Sequence, residues 1–225
     1  LIREHLSLAE LEPPAEQYLP VTRFHFPSAG EWTVAHGGRR KATNYHHNSR
    51  KQRFAYDLVV YKNGRQRTGK GKRNNQYFCW GQPVYAPASG TVIHAVDGVA
   101  ENVPGKRGRK GGNGLVLDHG FGETSSLWHL IPGTLTVKIG DRVEVGQYLG
   151  KAGNSGSSSG PHIHFHVSTR EMEASGFALP AEFVEVYANG RWHDRALPVR
   201  GTRVRGVRPF PQRPVARGPE ILLNF

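Results

Sequence analysis

The sequence predicts an all-β, mainly antiparallel protein with one compact domain and an extra segment at each end. The 225 residues include 28 glycines and 15 prolines, which favour many turns over a helical bundle. Short apolar runs that alternate with polar residues are typical of strands with one buried face. A chain of this length can bury one substantial core.

The strand pattern recurs between loops that are rich in glycine and basic residues. Residues 53–61 form a strongly apolar run, and residues 83–96 predict a strand, a turn and a second strand. Residues 115–130 predict a hairpin, and residues 135–150 predict a meander. The stretch 160–167 follows directly and carries the most unusual pattern of the chain.

The two ends differ in composition from the middle. Residues 1–20 look peripheral. Residues 191–225 are rich in arginine and proline, and proline keeps a chain extended and irregular. We therefore expect the domain to span residues 21–190, between an N-terminal extension and a basic C-terminal segment. The chain begins at Leu1 with no signal-like segment, and we expect a trimmed or mature form, from which any export signal is missing.

The chain is strongly basic, with a formal net charge of +12 and a pI of about 10.1. Such a charge attracts polyanions, and nucleic acid, an acidic membrane surface and an anionic cell wall all qualify. No recognition helix, RNA-binding sheet signature or zinc-finger spacing is present, which disfavours specific nucleic-acid binding. No apolar run approaches the length of a membrane span, and we expect a monomer without a transmembrane segment.

The single cysteine, Cys79, excludes an intrachain disulfide. It lies between Phe78 and Trp80, which favours a buried, inert thiol over a nucleophile. The cysteine content therefore neither requires nor excludes an oxidising compartment.

Three histidines alternate with apolar residues in the stretch 160–167. On a strand, His162, His164 and His166 would share one face, while Ile163 and Phe165 would enter the core. Imidazoles at this spacing can converge on a metal ion. A solvated strand face that carries three histidines fits the same pattern.

Asp57 is unusual because it is a carboxylate inside the apolar run 53–61. A buried carboxylate needs a charged partner, hydrogen bonds or a metal ion. The other candidate ligands are histidines, namely His46 or His47, His164, and the pair His129 and His162. A catalytic zinc ion typically has three protein ligands and one open position for water. The chain has no His-Glu-x-x-His helix, which excludes a thermolysin-like arrangement.

The order of these motifs resembles the zinc metallopeptidases of the lysostaphin/LytM type, peptidase family M23. The resemblance runs from about Phe26 to Val167. It rests on an ordered set: Asn44-Tyr45-His46, residues 52–57, residues 83–92, residues 113–120, Trp128-His129-Leu130, residues 140–143, residues 146–147, residues 150–156 and residues 160–165. The resemblance implies a compact β-roll or sandwich with a central groove, whose floor carries one zinc ion.

The resemblance also implies roles for individual residues. His164 and Asp57 match zinc ligands of the family. His162 and His129 match the two histidines that are thought to act on the water and on the developing oxyanion. His166 is expected to lie beside the site or in solvent.

The remaining ligand follows a variant pattern. The commonest family pattern has a histidine four residues before the aspartate, where this chain has Arg53. A longer-spaced variant carries the histidine in an Asn-x-His segment, which favours His46, with His47 as the alternative.

The function implied by the resemblance is zinc-dependent hydrolysis of peptide bonds in bacterial peptidoglycan, in cross-links or stem peptides. Metal-activated water would attack the peptide carbon, assisted by His129 and His162. The positive charge fits an enzyme held near anionic cell-envelope polymers, secreted or in the envelope or periplasm. The alternative is a catalytically inactive envelope module of the same fold, which binds or activates another hydrolase.

Overall fold

The computed structural model describes residues 18–109, 111–169 and 176–206. The regular structure of these residues is almost entirely β-strand, which confirms the expected fold class. Two short 3-10 helices, Tyr45–Asn48 and Asn74–Gln76, lie in the connections. The strands are β1 (Glu31–His36), β2 (Tyr56–Val59), β3 (Pro83–Tyr85), β4 (Gly90–Val96), β5 (Asn113–Asp118), β6 (Glu123–Leu130), β7 (Arg142–Val143), β8 (Tyr148–Lys151), β9 (Ile163–Thr169), β10 (Ala178–Leu179), β11 (Phe183–Ala188), β12 (Arg191–Ala196) and β13 (Arg203–Gly206).

Most of these strands form one large sheet in the order β12-β11-β13-β1-β2-β9-β6-β5-β4-β7, and β10 pairs with β9. Strands β3 and β8 form a second, two-stranded sheet. All of these strand pairings are antiparallel. Strands β2, β9 and β6 therefore lie side by side in the middle of the large sheet, where the candidate site residues are found.

The large sheet continues beyond the expected domain boundary at residue 190. Strand β12 pairs with β11, and β13 pairs with both β11 and β1. The boundary falls inside the sheet because backbone pairing can recruit strands whose side chains are mostly exposed, as in β12. The expected N-terminal extension lies mainly outside the described residues, and so does the chain from residue 207 onward.

Strand β9 shows the expected alternation between a buried apolar face and a histidine face. Ile163, Phe165 and Val167 belong to the hydrophobic core, which is continuous beneath the sheet. The Phe165 ring lies 5.5 Å from the ring of Phe183 and 6.3 Å from the ring of Tyr56, measured between centroids. The core therefore supports the strand from below and holds the histidines on its opposite face.

No helix of the described residues is long and apolar enough to cross a membrane.

Replacing Phe165 with alanine is expected to lower the free energy of unfolding by about 3–5 kcal/mol, because the ring is fully buried. Denaturant unfolding of the two proteins measures this difference. Phe121→Ala is the matched control, since Phe121 is 68% exposed. Equal losses in the two variants would contradict the assignment of Phe165 to the core.

Candidate metal centre

Asn44 holds the short helix that carries His46. Its side-chain oxygen accepts a hydrogen bond from the backbone N–H of His46 at 3.0 Å, and thereby caps the 3-10 helix Tyr45–Asn48. Its side-chain nitrogen donates to the carbonyl oxygens of Gly38 and Ala55 at 3.1 and 3.0 Å. The buried amide thus ties the helix to the chain just before β2, and this explains the Asn-x-His spacing.

Three side chains from different parts of the chain, His46, Asp57 and His164, form one cluster. In the strand pairing, Asp57 of β2 lies opposite His164 of β9. Its Oδ1 atom is 3.0 Å from Nδ1 of His164 and 3.2 Å from Nε2 of His46. All three side chains are buried.

These distances suit a tetrahedral zinc ion. Two ligands that are each about 2.0–2.1 Å from zinc lie about 3.3 Å apart in a tetrahedral arrangement. The ligand atoms of His46, Asp57 and His164 all lie within 4.8 Å of one another. The donor set therefore fits zinc with only small movements of the side chains.

His47, the alternative to His46, points away from this group. Its Nδ1 atom is 3.1 Å from the carbonyl oxygen of Arg39, and its Nε2 atom is 3.5 Å from the guanidinium of Arg53. The structure therefore brings His46, and not His47, together with Asp57.

The electrostatics of the cluster centre on Asp57. Burial alone would raise the pKa of this carboxyl, but His162, His164 and His46 outweigh burial and hold the pKa well below its usual range. Burial lowers the pKa of His164 despite its contact with Asp57. The carboxyl is therefore ionised at neutral pH, and the His164 imidazole is neutral, as metal ligation requires.

His129 enters the site through an irregularity in β6. Trp128 pairs with Gly114 of β5 and Leu130 pairs with Asn113, so His129 is an extra residue between them. Its φ of +74° lies in the left-handed region, which L-residues rarely adopt. This bulge turns His129 towards the same groove as Trp128, although strict alternation would place neighbouring side chains on opposite faces.

Backbone carbonyls fix the rings of His129 and His162. Nδ1 of His129 donates to the carbonyl oxygen of Ser155 at 2.8 Å, and Nδ1 of His162 donates to that of Gly160 at 2.8 Å. Because a carbonyl only accepts, the proton of each neutral ring lies on Nδ1 and leaves Nε2 as an acceptor. Nε2 of His162 lies 3.5 Å from Oδ1 of Asp57.

The loop before β9 supplies these carbonyls. Ser155 is fully buried, and its hydroxyl donates to the carbonyl oxygen of Leu130 at 2.8 Å. Gly156 has a φ of +69°, and a side chain there would collide with the carbonyl oxygen of Gly111. The glycine- and serine-rich loop is thus packed into the structure and positions His129 and His162.

His166 lies beside the cluster and is buried, which excludes the solvent position. Its Nδ1 atom is 3.0 Å from Nε2 of His164, on the opposite side of that ring from Asp57. Burial, followed by the neighbouring His164 and His46, holds the pKa of His166 well below its usual range. His166 can therefore fix the orientation of the His164 ring without carrying a charge.

Tyr45 is a site residue that the sequence did not single out. Its ring lies over His46, with the centroids 3.9 Å apart. Burial and the Asp57 carboxylate raise the pKa of Tyr45, an effect that Arg107 partly offsets. The phenol therefore keeps its proton and can donate a hydrogen bond. The only sequence signal for Tyr45 is its position next to the candidate ligand.

A second group of metal-ligand type consists of His129, His162 and His164. It shares His164 with the first group, and together the two groups define one site of five side chains. The first group includes the carboxylate and is entirely buried, whereas His162 is only partly buried. The arrangement can thus hold one metal ion and present two further imidazoles beside it.

Cys79 takes no part in this site. The thiol is buried and lies 3.0 Å from the carbonyl oxygen of Pro161, and burial raises its pKa to about 12. The expectation of a buried thiol is confirmed.

Residues 76–175 match the family model of peptidase family M23. This part of the chain is similar to the peptidases of family M23. The resemblance found in the sequence is therefore confirmed. The match covers β3 to β9 and includes His129, His162 and His164 of the site.

Proteins similar to this chain include enzymes named for peptide cleavage. The chain is 32% identical to the glycyl-glycine endopeptidase ALE-1 of Staphylococcus capitis over 107 residues, which cover 47% of this chain and 26% of that protein. It is 33% identical to the peptidoglycan DD-endopeptidase ShyA of Vibrio cholerae over 90 residues, which cover 40% of this chain and 18% of that protein. The chain thus spans about a quarter or less of the length of these relatives.

A solved structure similar to this chain is a zinc-containing peptidase from Vibrio cholerae. It has a TM-score of 0.42 and 23% sequence identity, and the similar region covers 68% of this chain and 40% of that one.

Acid is expected to destabilise the metal-free protein between pH 7 and pH 5. The histidines His129, His164 and His166 have lowered pKa values in the folded state and ordinary values near 6.5 when unfolded. Below pH 6.5 the unfolded chain therefore binds protons that the folded chain does not, and stability falls with pH. Each histidine lowers the free energy of unfolding by up to about 1.4 kcal/mol for each pH unit below its unfolded pKa.

Urea unfolding of chelator-treated protein at several pH values measures this slope. His166→Leu removes one of these titrating groups and should give a shallower slope. Stability that stays constant or rises as the pH falls from 7 to 5 would show that these imidazoles are not buried in neutral form.

Proposed function

We propose that this protein is a zinc-dependent peptidase that hydrolyses peptide bonds in bacterial peptidoglycan, in cross-links or stem peptides. His46, Asp57 and His164 hold one zinc ion, and His129 and His162 act on the water and on the developing oxyanion. The observation that carries the proposal is the buried group of two imidazoles and one carboxylate at ligand distances, with two oriented imidazoles beside it.

The ligand set suits catalysis better than a purely structural metal site. Two histidines and one carboxylate leave a position open for water or substrate, whereas structural zinc sites are usually closed by four protein ligands. When bound, zinc would act as a Lewis acid that polarises the substrate carbonyl and lowers the pKa of water. The side chains of the chain then supply orientation and proton transfer.

His129 and His162 are prepared for proton transfer. Each ring donates from Nδ1 to a backbone carbonyl and presents an unprotonated Nε2 atom to the site. Nε2 can accept a proton from water as the peptide carbon is attacked. The imidazolium that forms can donate a hydrogen bond to the oxyanion and then pass its proton to the leaving amine.

The charge of the whole chain supports an envelope location. A net charge of +12 favours binding to anionic cell-envelope polymers, which would concentrate the enzyme near its substrate. The relatives ALE-1 and ShyA are named as endopeptidases, and ShyA is named for peptidoglycan. We propose that the protein is secreted or resides in the envelope, and that it acts as a monomer.

Incubation of the protein with purified peptidoglycan is expected to release muropeptides that mass spectrometry detects. A chelator should abolish the release, and added zinc should restore it, because the ligand set cannot polarise a carbonyl without a metal ion. Zinc binding at one ion per chain without any release would favour the alternative, an inactive envelope-binding module.

Four variants separate the ligands from the catalytic histidines in the same assay. Asp57→Ala and His164→Ala should lose zinc as well as activity. His129→Ala and His162→Ala should keep zinc and lose about 10²–10³ in rate, the usual effect of removing one oxyanion donor. Full zinc occupancy in Asp57→Ala, measured by elemental analysis, would refute the ligand assignment.

Replacing His166 with alanine is expected to weaken zinc binding by about 10–100-fold, as is usual when the partner of a metal-binding histidine is lost. If Nδ1 of His164 held the metal ion, the proton of that ring would lie on Nε2 and His166 would accept it in a hydrogen bond. His166→Gln retains an acceptor and should lose less affinity than His166→Ala.

Competition with a chromophoric chelator measures the zinc dissociation constants of these variants. His193→Ala controls for the loss of a histidine outside the site, since His193 lies on β12. An unchanged dissociation constant in His166→Ala would show that His166 does not orient the ligand.

A further inference from the structure

Most charged side chains that line the groove above the candidate metal centre are basic. One half is lined by Arg50, Lys51 and Arg107, and the other half is lined by Arg67 and again Arg107. Among the described residues that line either half, Asp57 is the only acidic one, and its carboxylate is engaged by histidines. Among the described residues that line the groove, basic side chains therefore outnumber carboxylates beside the metal centre.

Two basic loops that are distant in sequence supply the arginines of the second half. Arg67 belongs to the loop 62–73, and Arg107 belongs to the loop 105–112. Both arginines line the same half of the groove, together with Tyr45 and His162. The fold thus brings one cation from each loop to the edge of the candidate catalytic site.

Arg107 is held in a defined orientation. Its Nε atom donates a hydrogen bond to the hydroxyl of Ser157 at 3.0 Å, which leaves the terminal nitrogens available to a ligand. Arg107 lines both halves of the groove, as Tyr45 does. It therefore lies where a peptide running along the groove would pass the metal centre.

Arg67 is also supported by its neighbours. Its guanidinium lies over the ring of Tyr77, 5.6 Å from the centroid. The absence of a side chain at Gly71 leaves room for the arginine stem. Among the described residues, no carboxylate lies within ion-pair distance of Arg67 or Arg107.

We propose that Arg67 and Arg107 form an anion subsite, which selects a peptide substrate with a carboxylate side group next to the scissile bond. A guanidinium binds a carboxylate through two parallel hydrogen bonds, which gives directional as well as electrostatic selectivity. A neutral glycine peptide offers no such partner. This inference rests on the proposed peptidase function of the same groove and specifies the chemical class of its substrate.

Fluorescence anisotropy tests the subsite with two labelled peptides of the same length, one with two central glutamates and one with glutamines in their place. Binding is recorded while mass spectrometry shows that both peptides remain intact. The wild-type protein should bind the glutamate peptide about tenfold more tightly at low salt, and the difference should shrink as salt is added.

Matched variants distinguish the subsite from the general charge of the chain. Arg67→Gln and Arg107→Gln should each reduce the preference for the glutamate peptide, and the double variant should bind both peptides about equally. Arg65→Gln and Arg109→Gln remove the same charge from the same two loops at exposed positions that do not line the groove. These two control variants should keep the wild-type preference.

Equal binding of the two peptides by the wild-type protein would overturn the subsite. So would an equal loss of preference in the control variants and the groove variants. Because the measurement needs no turnover, it separates the two proposals. A protein that prefers the glutamate peptide but releases nothing from peptidoglycan refutes the peptidase function alone, and hydrolysis without a charge preference refutes the subsite alone.

Discussion

The buried carboxylate of Asp57 is the constraint on which the rest of the site depends. An ionised carboxylate in the middle of a sheet is stable only if neighbouring groups compensate its charge and fill its hydrogen-bonding positions. Here the partners come from the adjacent strand β9 and from the 3-10 helix that Asn44 caps. The same contacts that make Asp57 tolerable in the metal-free protein place nitrogen atoms where a zinc ion would need them.

The histidines of the site are oriented through the nitrogen that faces away from its centre. Backbone carbonyls hold Nδ1 of His129 and His162, and His166 holds Nε2 of His164. This arrangement fixes both the ring plane and the tautomer, and a metal site that relied on free rings would lose affinity to side-chain disorder. The glycine- and serine-rich loop before β9 thus acts as part of the site, although few of its side chains face the groove.

The groove is lined both by the histidines of the metal centre and by basic side chains. The region that matches the M23 family model contributes the histidines of β6 and β9, and the loops 62–73 and 105–112 contribute cations on one side of them. Overall charge draws a basic protein towards any polyanion, whereas oriented guanidinium groups beside a reactive centre discriminate between substrates. Salt affects these two interactions differently. It screens the long-range attraction by overall charge over a distance of about 10 Å, whereas a direct ion pair with a guanidinium group is less affected.

The sequence by itself determined the fold class, the buried and histidine faces of β9, and the importance of Asp57. These features are local, because strand alternation and a carboxylate in an apolar run can be recognised within a few residues. Only the tertiary structure decided which of His46 and His47 meets Asp57, since Asn44 ties the helix to a segment that follows it in the chain. It also decided the direction of His129, which depends on a bulge opposite Asn113 and Gly114. The pairing of β12 and β13 within the main sheet also depends on contacts between segments that are distant in the sequence. The same is true of the placement of Arg67 and Arg107 in one half of the groove. Neither composition nor periodicity predicts such contacts.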